Sequence, residues 1–291
     1  MQAWFSASFP EPTTAQVQGW PAIGSGQHTL VCAPTGSGKT LTAFLSSIDR
    51  LVTPDATAPS VDPKARTRVL YISPLRALAF DVEKNLRSPL MGIRLAAERL
   101  GVPFNEPTVA MRTGDTSARD RQVLARRPVD LLITTPESLY LMLTSEVRST
   151  LVNVETVIID EIHAIATTNR GAHLMLSLER LEAITKRPPQ RLGLSATQRP
   201  LEEIAHFLGG QTVDPSGNSA RRPVTIVDAG IRKPLQVEVV VPIDDMGELG
   251  KDSSIWPSIY PSILREVLAH RSTIIFCNGR RQTERLAARL N

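Results

Sequence analysis

The chain has 291 residues, enough for roughly two domains, and its 42% hydrophobic and 21% charged residues are typical of a globular protein with a buried core. No apolar run approaches the roughly 18 residues that span a bilayer, and the first residues lack a secretory leader pattern, so we expect no membrane partner. The net charge of +4 is too small to indicate nucleic-acid binding by itself, and Cys32 and Cys277 are predicted to be free thiols of a cytoplasmic protein.

Apolar segments rich in β-branched residues alternate with helical patterns through the first 210 residues. Strands are predicted at Thr29–Ala33, Val69–Ser73, Thr108–Arg112, Asp130–Thr134, Val157–Asp160 and Arg191–Leu194. Helices are predicted at Thr40–Leu51, Arg76–Leu100, Ser117–Arg126, Pro136–Thr144 and Gly171–Thr185. The segment Thr53–Arg66 is rich in proline and alanine and is predicted to be a surface loop. This alternation indicates an α/β fold with a parallel sheet flanked by helices.

The character of the sequence changes after Gly210. The predicted elements are strands at Val224–Val227 and Val237–Val241, an acidic loop at Asp244–Ser254, a helix at Ser258–His270, a buried strand at Thr273–Cys277 and a helix at Arg280–Leu290. A strand and one helix cannot bury the edge of a parallel sheet, so we expect a second domain that is only begun. The predicted organisation is a first domain at 1–210, a linker with strand elements at 211–257 and the start of a second domain at 258–291.

The segment Ala33–Thr40 follows a predicted strand and opens a predicted helix, which is the context that a phosphate-binding loop requires. Because they lack a Cβ, Gly36 and Gly38 let backbone N–H groups turn inward around phosphates, and the helix N-terminus adds its positive end. Lys39 is predicted to reach the β- and γ-phosphates of ATP, and the Thr40 hydroxyl to bind Mg²⁺. The candidate residues of this loop are Pro34, Thr35, Gly36, Ser37, Gly38, Lys39 and Thr40.

Two adjacent carboxylates, Asp160 and Glu161, stand at the end of an apolar predicted strand. Neighbouring side chains diverge at a strand end, so the two carboxylates can serve different partners. Asp160 is predicted to hold Mg²⁺, and Glu161 to accept the proton of the attacking water as a general base. Alone, the pair is also typical of a helix N-cap. Together with Lys39, it predicts a catalytic site for ATP hydrolysis.

In their order along the chain, these motifs resemble those of superfamily 2 helicases, specifically the Lhr (large helicase-related) group, with Ski-type and archaeal repair helicases as neighbours. The resemblance covers essentially the whole chain and implies a RecA-like P-loop domain followed by the start of a second RecA-like domain. The segments that carry it are Pro12–Gln16, Pro34–Thr40, Ser73–Leu78, Arg112–Asp115, Thr135–Ser138, Asp160–His163, Ser195–Thr197 and Thr273–Gly279. The strand-to-helix motifs among them fall at the edge where open α/β sheets bind ligands.

The resemblance also implies roles for single residues. Gln16 would hydrogen-bond the edge of adenine. The residues implied to couple hydrolysis to the nucleic acid are His163, Ser195, Ala196 and Thr197. The residues implied to contact the nucleic acid are Pro74, Leu75, Arg76, Gly114, Asp115, Thr135, Pro136 and Glu137. Loops of this kind present backbone N–H groups to phosphates without reading bases, and Arg112 fits either a phosphate contact or a surface ion pair.

The activity that the resemblance implies is an ATP-dependent translocase or helicase that depends on single-stranded DNA, moves three-prime to five-prime and serves genome repair. The implied cofactors are ATP and Mg²⁺, and the implied partners are single-stranded DNA or an RNA–DNA hybrid, together with the missing C-terminal part of the same motor.

In such motors the second domain supplies arginines that stabilise the transferring phosphoryl group and raise the rate of hydrolysis by about 10³–10⁵-fold. The motifs that carry them do not follow Thr273–Gly279, so we expect slow hydrolysis and no unwinding by this chain. Two alternatives stay open. One is an RNA helicase of the DEAD-box kind, against which the Asp-Glu-x-His form of the carboxylate motif stands. The other is a nucleotide-dependent nucleic-acid-binding module with little turnover.

Overall fold

The computed structural model describes residues 1–52, 62–214, 216–230, 236–241 and 255–290. The chain divides into two compact units, the first from Met1 to Arg232 and the second from Lys233 to Asn291. None of the described helices is long and apolar enough to cross a membrane.

Strands and helices alternate through the first unit. Its strands are β1 (His28–Cys32), β2 (Val69–Ile72), β3 (Val109–Arg112), β4 (Leu131–Thr134), β5 (Thr156–Ile159), β6 (Gln190–Ser195), β7 (Gln211–Val213), β8 (Ser219–Arg221) and β9 (Val224–Asp228). Its helices are α1 (Gln2–Ser8), α2 (Thr14–Gly24), α3 (Lys39–Val52), α4 (Arg76–Leu100), α5 (Ala118–Arg126), α6 (Pro136–Leu143), α7 (Asn169–Ile184) and α8 (Leu201–Gly209). Short 3₁₀ turns lie at Pro63–Ala65, Glu146–Leu151 and Ile162–Ala164.

Seven strands form one sheet in the order β3-β4-β2-β5-β6-β1-β9, and every pairing in it is parallel. The predicted parallel sheet flanked by helices is therefore confirmed. All seven strands end at the same edge, so the loops that follow them meet there. The remaining strands, β7 and β8, form a separate antiparallel pair.

Side chains from the two faces of the sheet build two apolar cores. Leu30 and Val31 of β1 point to opposite faces, as do Leu70 and Tyr71 of β2, because successive residues of a strand alternate. Helices α2, α3 and α4 contribute to the first core, and α6, α7 and α8 to the second. Both faces of the central strands are thus covered, which is why those strands are continuous apolar runs rather than alternating ones.

Three helices of the first unit and the sheet that β9 joins were not predicted from the sequence. Helices α1, α2 and α8 were missed, because each is short or carries a weak apolar period. Strand β9 pairs with β1 over its whole length, so Val224–Asp228 belongs to the first sheet, whereas the sequence placed it in a linker after residue 210. This boundary was not visible locally, since only the pairing with β1 decides which unit the strand joins.

Both predicted helices of the second unit are present, as α9 (Trp256–Ala269) and α10 (Arg280–Leu290). The prediction of a buried strand at Thr273–Cys277 is wrong: the segment is not a strand, and Ile274 and Phe276 are 80% and 91% exposed. The described residues of Val237–Val241 are likewise exposed and form no strand. Apolar, β-branched residues favour a strand only where neighbouring strands pair with it, and no described residue does so here. The predicted loop Asp244–Ser254 lies outside the described residues.

Candidate active site and nucleic-acid interface

The loop between β1 and α3 has the backbone of a phosphate cradle. Gly36 and Gly38 adopt left-handed φ angles of 80° and 82°. A Cβ at Gly36 would meet open space, but one at Gly38 would lie 2.8 Å from the amide nitrogen of Gln16. The two positions therefore favour glycine for different reasons, the first for its φ angle and the second also for the close approach of a neighbour.

Lys39 lies buried beneath this loop, only 5% exposed. Its Nζ donates to the carbonyl oxygens of Ala33 at 2.8 Å and Pro34 at 3.2 Å, so the ammonium sits at the centre of the cradle. The Ser37 hydroxyl is a buried polar atom that makes no hydrogen bond to any described residue. A held cation and an unsatisfied hydroxyl in a glycine-rich turn fit the phosphate groups of a nucleotide.

Helix α2 braces the cradle from outside. Thr13 and Gln16 form a capping box, in which the Thr13 backbone N–H donates to Gln16 Oε1 at 2.9 Å. The Thr13 hydroxyl also donates to the carbonyl of Ser37 at 2.7 Å, which ties the helix start to the loop. Gln16 is buried at 3% exposure against Gly38. Its contact with adenine stays a prediction, and the structure adds a contact of Gln16 with the loop.

Asp160 follows β5 and is buried at 6% exposure. Its Oδ1 accepts the Glu161 backbone N–H at 3.0 Å, and its Oδ2 accepts the Tyr71 hydroxyl. Burial raises the pKa of the Asp160 carboxyl, while the Tyr71 hydrogen bond and the charge of Lys39 act to lower it. Tyr71 is fully buried in β2, and its ring stacks on Phe44 of α3 with centroids 4.9 Å apart. Sequence reasoning missed Tyr71, because nothing in the sequence marks one strand tyrosine as facing a carboxylate.

Glu161 is held in an unusual backbone conformation. Its φ and ψ angles are 43° and 42°, and it is the one residue other than glycine with positive φ among those described. Such a conformation costs of order 1–3 kcal/mol and persists where the surroundings over-determine it, often at active sites. Its Oε2 lies 3.4 Å from His163 Nδ1, whereas the Asp160 carboxylate accepts the Tyr71 hydroxyl. The two adjacent carboxylates therefore have different neighbours, and their catalytic roles stay predictions.

His163 connects the carboxylates with the end of β6. Its Nδ1 accepts the backbone N–H of Ala196 at 3.3 Å. Ser195, one residue earlier, accepts the Ala33 N–H through its carbonyl at 3.1 Å. Thr197 lies further along the same loop, facing Gly230 after β9. The predicted coupling residues thus stand between the carboxylate turn and the phosphate loop, because β6 lies between β5 and β1.

The predicted nucleic-acid residues lie after β2, β3 and β4. Pro74, Leu75 and Arg76 follow β2, Gly114 and Asp115 follow β3, and Thr135, Pro136 and Glu137 follow β4. The Arg76 guanidinium donates to both carboxylate oxygens of Asp115 at 2.7 and 2.9 Å, which links the first two loops. Arg112 forms no ion pair with any described residue. Its Nη1 is buried and makes no hydrogen bond within the described part of the chain, and burial lowers the pKa of its guanidinium.

Glu137 has a partner that the sequence did not reveal. Thr135 caps α6 by accepting the Ser138 N–H at 3.4 Å, which leaves Glu137 in the first turn. Both of its carboxylate oxygens accept hydrogen bonds from Arg170, near the start of α7. The hydrogen bond from Arg170 lowers the pKa of Glu137. Arg170 was missed because 33 residues separate it from Glu137 along the chain.

The strand order divides the binding edge into two halves. Strands β5, β6 and β1 present the carboxylates, the coupling residues and the phosphate loop. Strands β3, β4 and β2 present the three loops predicted to contact nucleic acid. The halves meet between β2 and β5, where the Tyr71 hydroxyl of β2 reaches Asp160 after β5. The loops predicted to bind nucleotide and the loops predicted to contact nucleic acid thus share one sheet edge.

Comparison with known proteins identifies the family. The family model described as DEAD/DEAH box helicase matches residues 13–204. A Lhr helicase of Mycolicibacterium smegmatis is 52% identical over 99% of this chain and 18% of its own length, and an ATP-dependent helicase Lhr-Core of Methanocaldococcus jannaschii is 40% identical over 99% and 32%. The solved structure of Mycobacterium smegmatis helicase Lhr bound to ssDNA and AMP-PNP matches with a TM-score of 0.76 at 51% identity, covering 99% of this chain and 35% of that one.

The chain thus spans about a fifth to a third of the length of these relatives. They confirm the resemblance to the Lhr group and the RecA-like fold that it implied. The matched family segment runs from the capping box at Thr13 through the phosphate loop and the carboxylates into α8. The chain belongs to the DEAD/DEAH box helicase family.

Proposed function

We propose that this chain carries the ATP-hydrolysing site and part of the nucleic-acid surface of a Lhr-like translocase. The observation that carries the proposal is the shared sheet edge, with Lys39 in a glycine cradle two strands away from the Asp160–Glu161 turn. A single-stranded DNA ligand is favoured because a relative of 51% identity was solved with ssDNA and a nucleotide analogue. Three-prime to five-prime movement, action on RNA–DNA hybrids and a role in repair are parts of the same proposal.

Nucleotide binding would use groups that are already in place. Lys39 would exchange its hydrogen bonds to the Ala33 and Pro34 carbonyls for bonds to the β- and γ-phosphates. The left-handed turns at Gly36 and Gly38 and the N-terminus of α3 favour negative charge at the same point. Thr40 and Asp160 would hold Mg²⁺, which neutralises phosphate charge when bound.

The attacking water would be deprotonated by Glu161. Its carboxylate is turned toward His163 rather than toward the buried Asp160, so it can accept a proton without competing for the metal. His163 in turn accepts a hydrogen bond from Ala196 in the loop after β6. A change at the γ-phosphate would therefore reach Ser195–Thr197 through one imidazole, which is a short physical route for coupling.

The experiment that tests the proposal measures ATP turnover by this chain with and without single-stranded DNA, beside Glu161→Gln. We expect slow turnover that DNA accelerates, and at least a 100-fold loss in the variant, the scale on which general bases act. Nucleotide binding should survive in Glu161→Gln, because the carboxylate acts on water rather than on the phosphate loop. Turnover that Glu161→Gln leaves unchanged would exclude this site, and binding without turnover would favour the nucleotide-dependent binding module.

A parallel titration with single-stranded RNA separates the DNA-dependent translocase from an RNA helicase. Stimulation by RNA alone would move the assignment to the DEAD-box kind of enzyme. Stimulation by DNA alone would support the Lhr-like assignment. So would stimulation by both DNA and RNA, if the chain binds the DNA more tightly.

A further inference from the structure

Arg170 lies in the first turn of α7 and joins two of the loops at the nucleic-acid half of the edge. Its Nη1 donates to the carbonyl oxygen of Pro74 at 2.5 Å. Its Nε and Nη2 donate to the two carboxylate oxygens of Glu137, the second bond being 3.0 Å long. One planar guanidinium therefore fixes the loop after β2 relative to the loop after β4, with the bidentate geometry that arginine forms and lysine cannot.

Glu137 is better explained by this contact than by a contact with nucleic acid. A carboxylate repels a phosphate, and both oxygens of Glu137 already accept hydrogen bonds from Arg170. The neighbouring groups at the same loop, the Thr135 cap and the N-terminus of α6, are suited to phosphate instead. Glu137 thus serves the loop by holding Arg170.

The start of α7 is also tied to the turn that follows the catalytic carboxylates. The Thr168 hydroxyl donates to the carbonyl of Ile165 at 2.8 Å and accepts the Gly171 N–H at 3.1 Å. A Cβ on Gly171 would lie 2.1 Å from the same Ile165 carbonyl oxygen, so the helix packs directly on this turn. Arg170 lies between Thr168 and Gly171, so its backbone is anchored to the segment that follows Asp160 and Glu161.

We infer that Arg170 is a positioning residue. It sets the spacing of the loops after β2 and β4 that are proposed to bind single-stranded nucleic acid, and it ties them to the turn after the proposed catalytic carboxylates. The inference deepens the proposed function and rests on it. It predicts that nucleic-acid binding depends on Arg170 through Pro74 and Glu137, and that nucleotide binding does not.

The test compares Arg170→Lys, Glu137→Gln and the double variant. The affinity for a labelled single-stranded oligothymidylate is measured by fluorescence anisotropy, the affinity for a fluorescent ATP analogue by direct titration, and folding by thermal unfolding. Arg180→Lys is the matched control, because Arg180 is on the same helix and its guanidinium contacts the Tyr140 ring at 5.7 Å instead of a strand-binding loop.

We expect each single variant to weaken binding of the oligonucleotide by roughly 2- to 30-fold, the range found for residues that couple sites. The double variant should be no weaker than either single one, because both changes break the same contact. Affinity for the nucleotide should stay within about twofold of wild type, and Arg180→Lys should change neither affinity. Arg170→Lys keeps the positive charge but loses the bidentate guanidinium contact with Glu137.

Three results would overturn the inference. Glu137→Gln that binds the oligonucleotide as well as wild type, with Arg170→Lys weakened, would make Arg170 a direct phosphate contact. Additive losses in the double variant would mean that the two side chains act separately. Equal losses of nucleotide and oligonucleotide affinity, with a lower unfolding temperature, would mean that the pair only supports the fold. If the wild-type chain binds nucleotide but no single strand, the proposed function fails first and the inference with it.

Discussion

Replacing Tyr71 by phenylalanine removes one buried hydroxyl at the junction of the two halves of the site. The ring can keep its stacking on Phe44, whose centroid lies 4.9 Å away, so packing is preserved. The hydrogen bond to Asp160 Oδ2 is lost, and the carboxylate retains the Glu161 backbone N–H as its donor on Oδ1. The substitution therefore isolates one hydrogen bond to a buried, ionisable group.

A hydrogen bond to a charged group contributes about 1.5–3 kcal/mol, and for a unit of this size each kcal/mol shifts the unfolding temperature by about 2–4 °C. We therefore expect Tyr71→Phe to lower it by about 3–12 °C at neutral pH. Burial already raises the pKa of Asp160, and losing a donor to the ionised form raises it further. The stability lost in the variant is thus greatest above this pKa and shrinks as the pH falls through it.

The assay is thermal unfolding followed by circular dichroism at about pH 7.5 and at about pH 4, near the pKa of an unfolded aspartate. Tyr140→Phe is the matched control, since the Tyr140 ring contacts His173 and Arg180 while its hydroxyl makes no hydrogen bond to any described residue. A Tyr71→Phe chain as stable as wild type at neutral pH would refute the reasoning. So would an equal loss at both pH values, which would indicate lost packing instead of a lost bond to the anion.

Three further predictions follow from the same geometry. Glu161→Gln should retain nucleotide binding and lose at least about 100-fold in turnover, as single-turnover kinetics would show; equal loss of both would place Glu161 in binding instead. Asp160→Asn should unfold at a higher temperature than wild type at neutral pH, because the raised pKa of Asp160 makes its ionised form a cost to the folded state. Wild type does not bear this cost below the unfolded pKa of Asp160 and bears it in full above the folded pKa, so the advantage of the variant should vanish in acid. Mg²⁺-dependent nucleotide binding by the variant should weaken at neutral pH. Gly171→Ala should be strongly destabilising, since its Cβ would lie 2.1 Å from the Ile165 carbonyl oxygen; Ala172→Gly is the nearby comparison, and a well-folded Gly171→Ala chain would contradict the close packing of α7.

The glycine-rich loop and the carboxylate pair could be located from the sequence, because each is formed by consecutive residues. The glycine turn between a strand and a helix orients its own backbone N–H groups, and Lys39 belongs to the same short segment. The alternation of strands and helices was equally readable, since a sheet buried on both faces leaves continuous apolar runs. From these the parallel sheet and the family resemblance followed.

The tertiary structure alone decided which side chains meet across the sheet edge. Tyr71 and Asp160 are 89 residues apart, and Arg170 and Pro74 are 96 apart, so no local pattern announces either pair. The same holds for β9, which joins the first sheet through β1, and for Thr273–Cys277, whose apolar residues lack a described partner strand and stay exposed. Local sequence determines what a segment prefers, whereas pairing and hydrogen bonding between distant segments depend on the order in which the strands lie side by side.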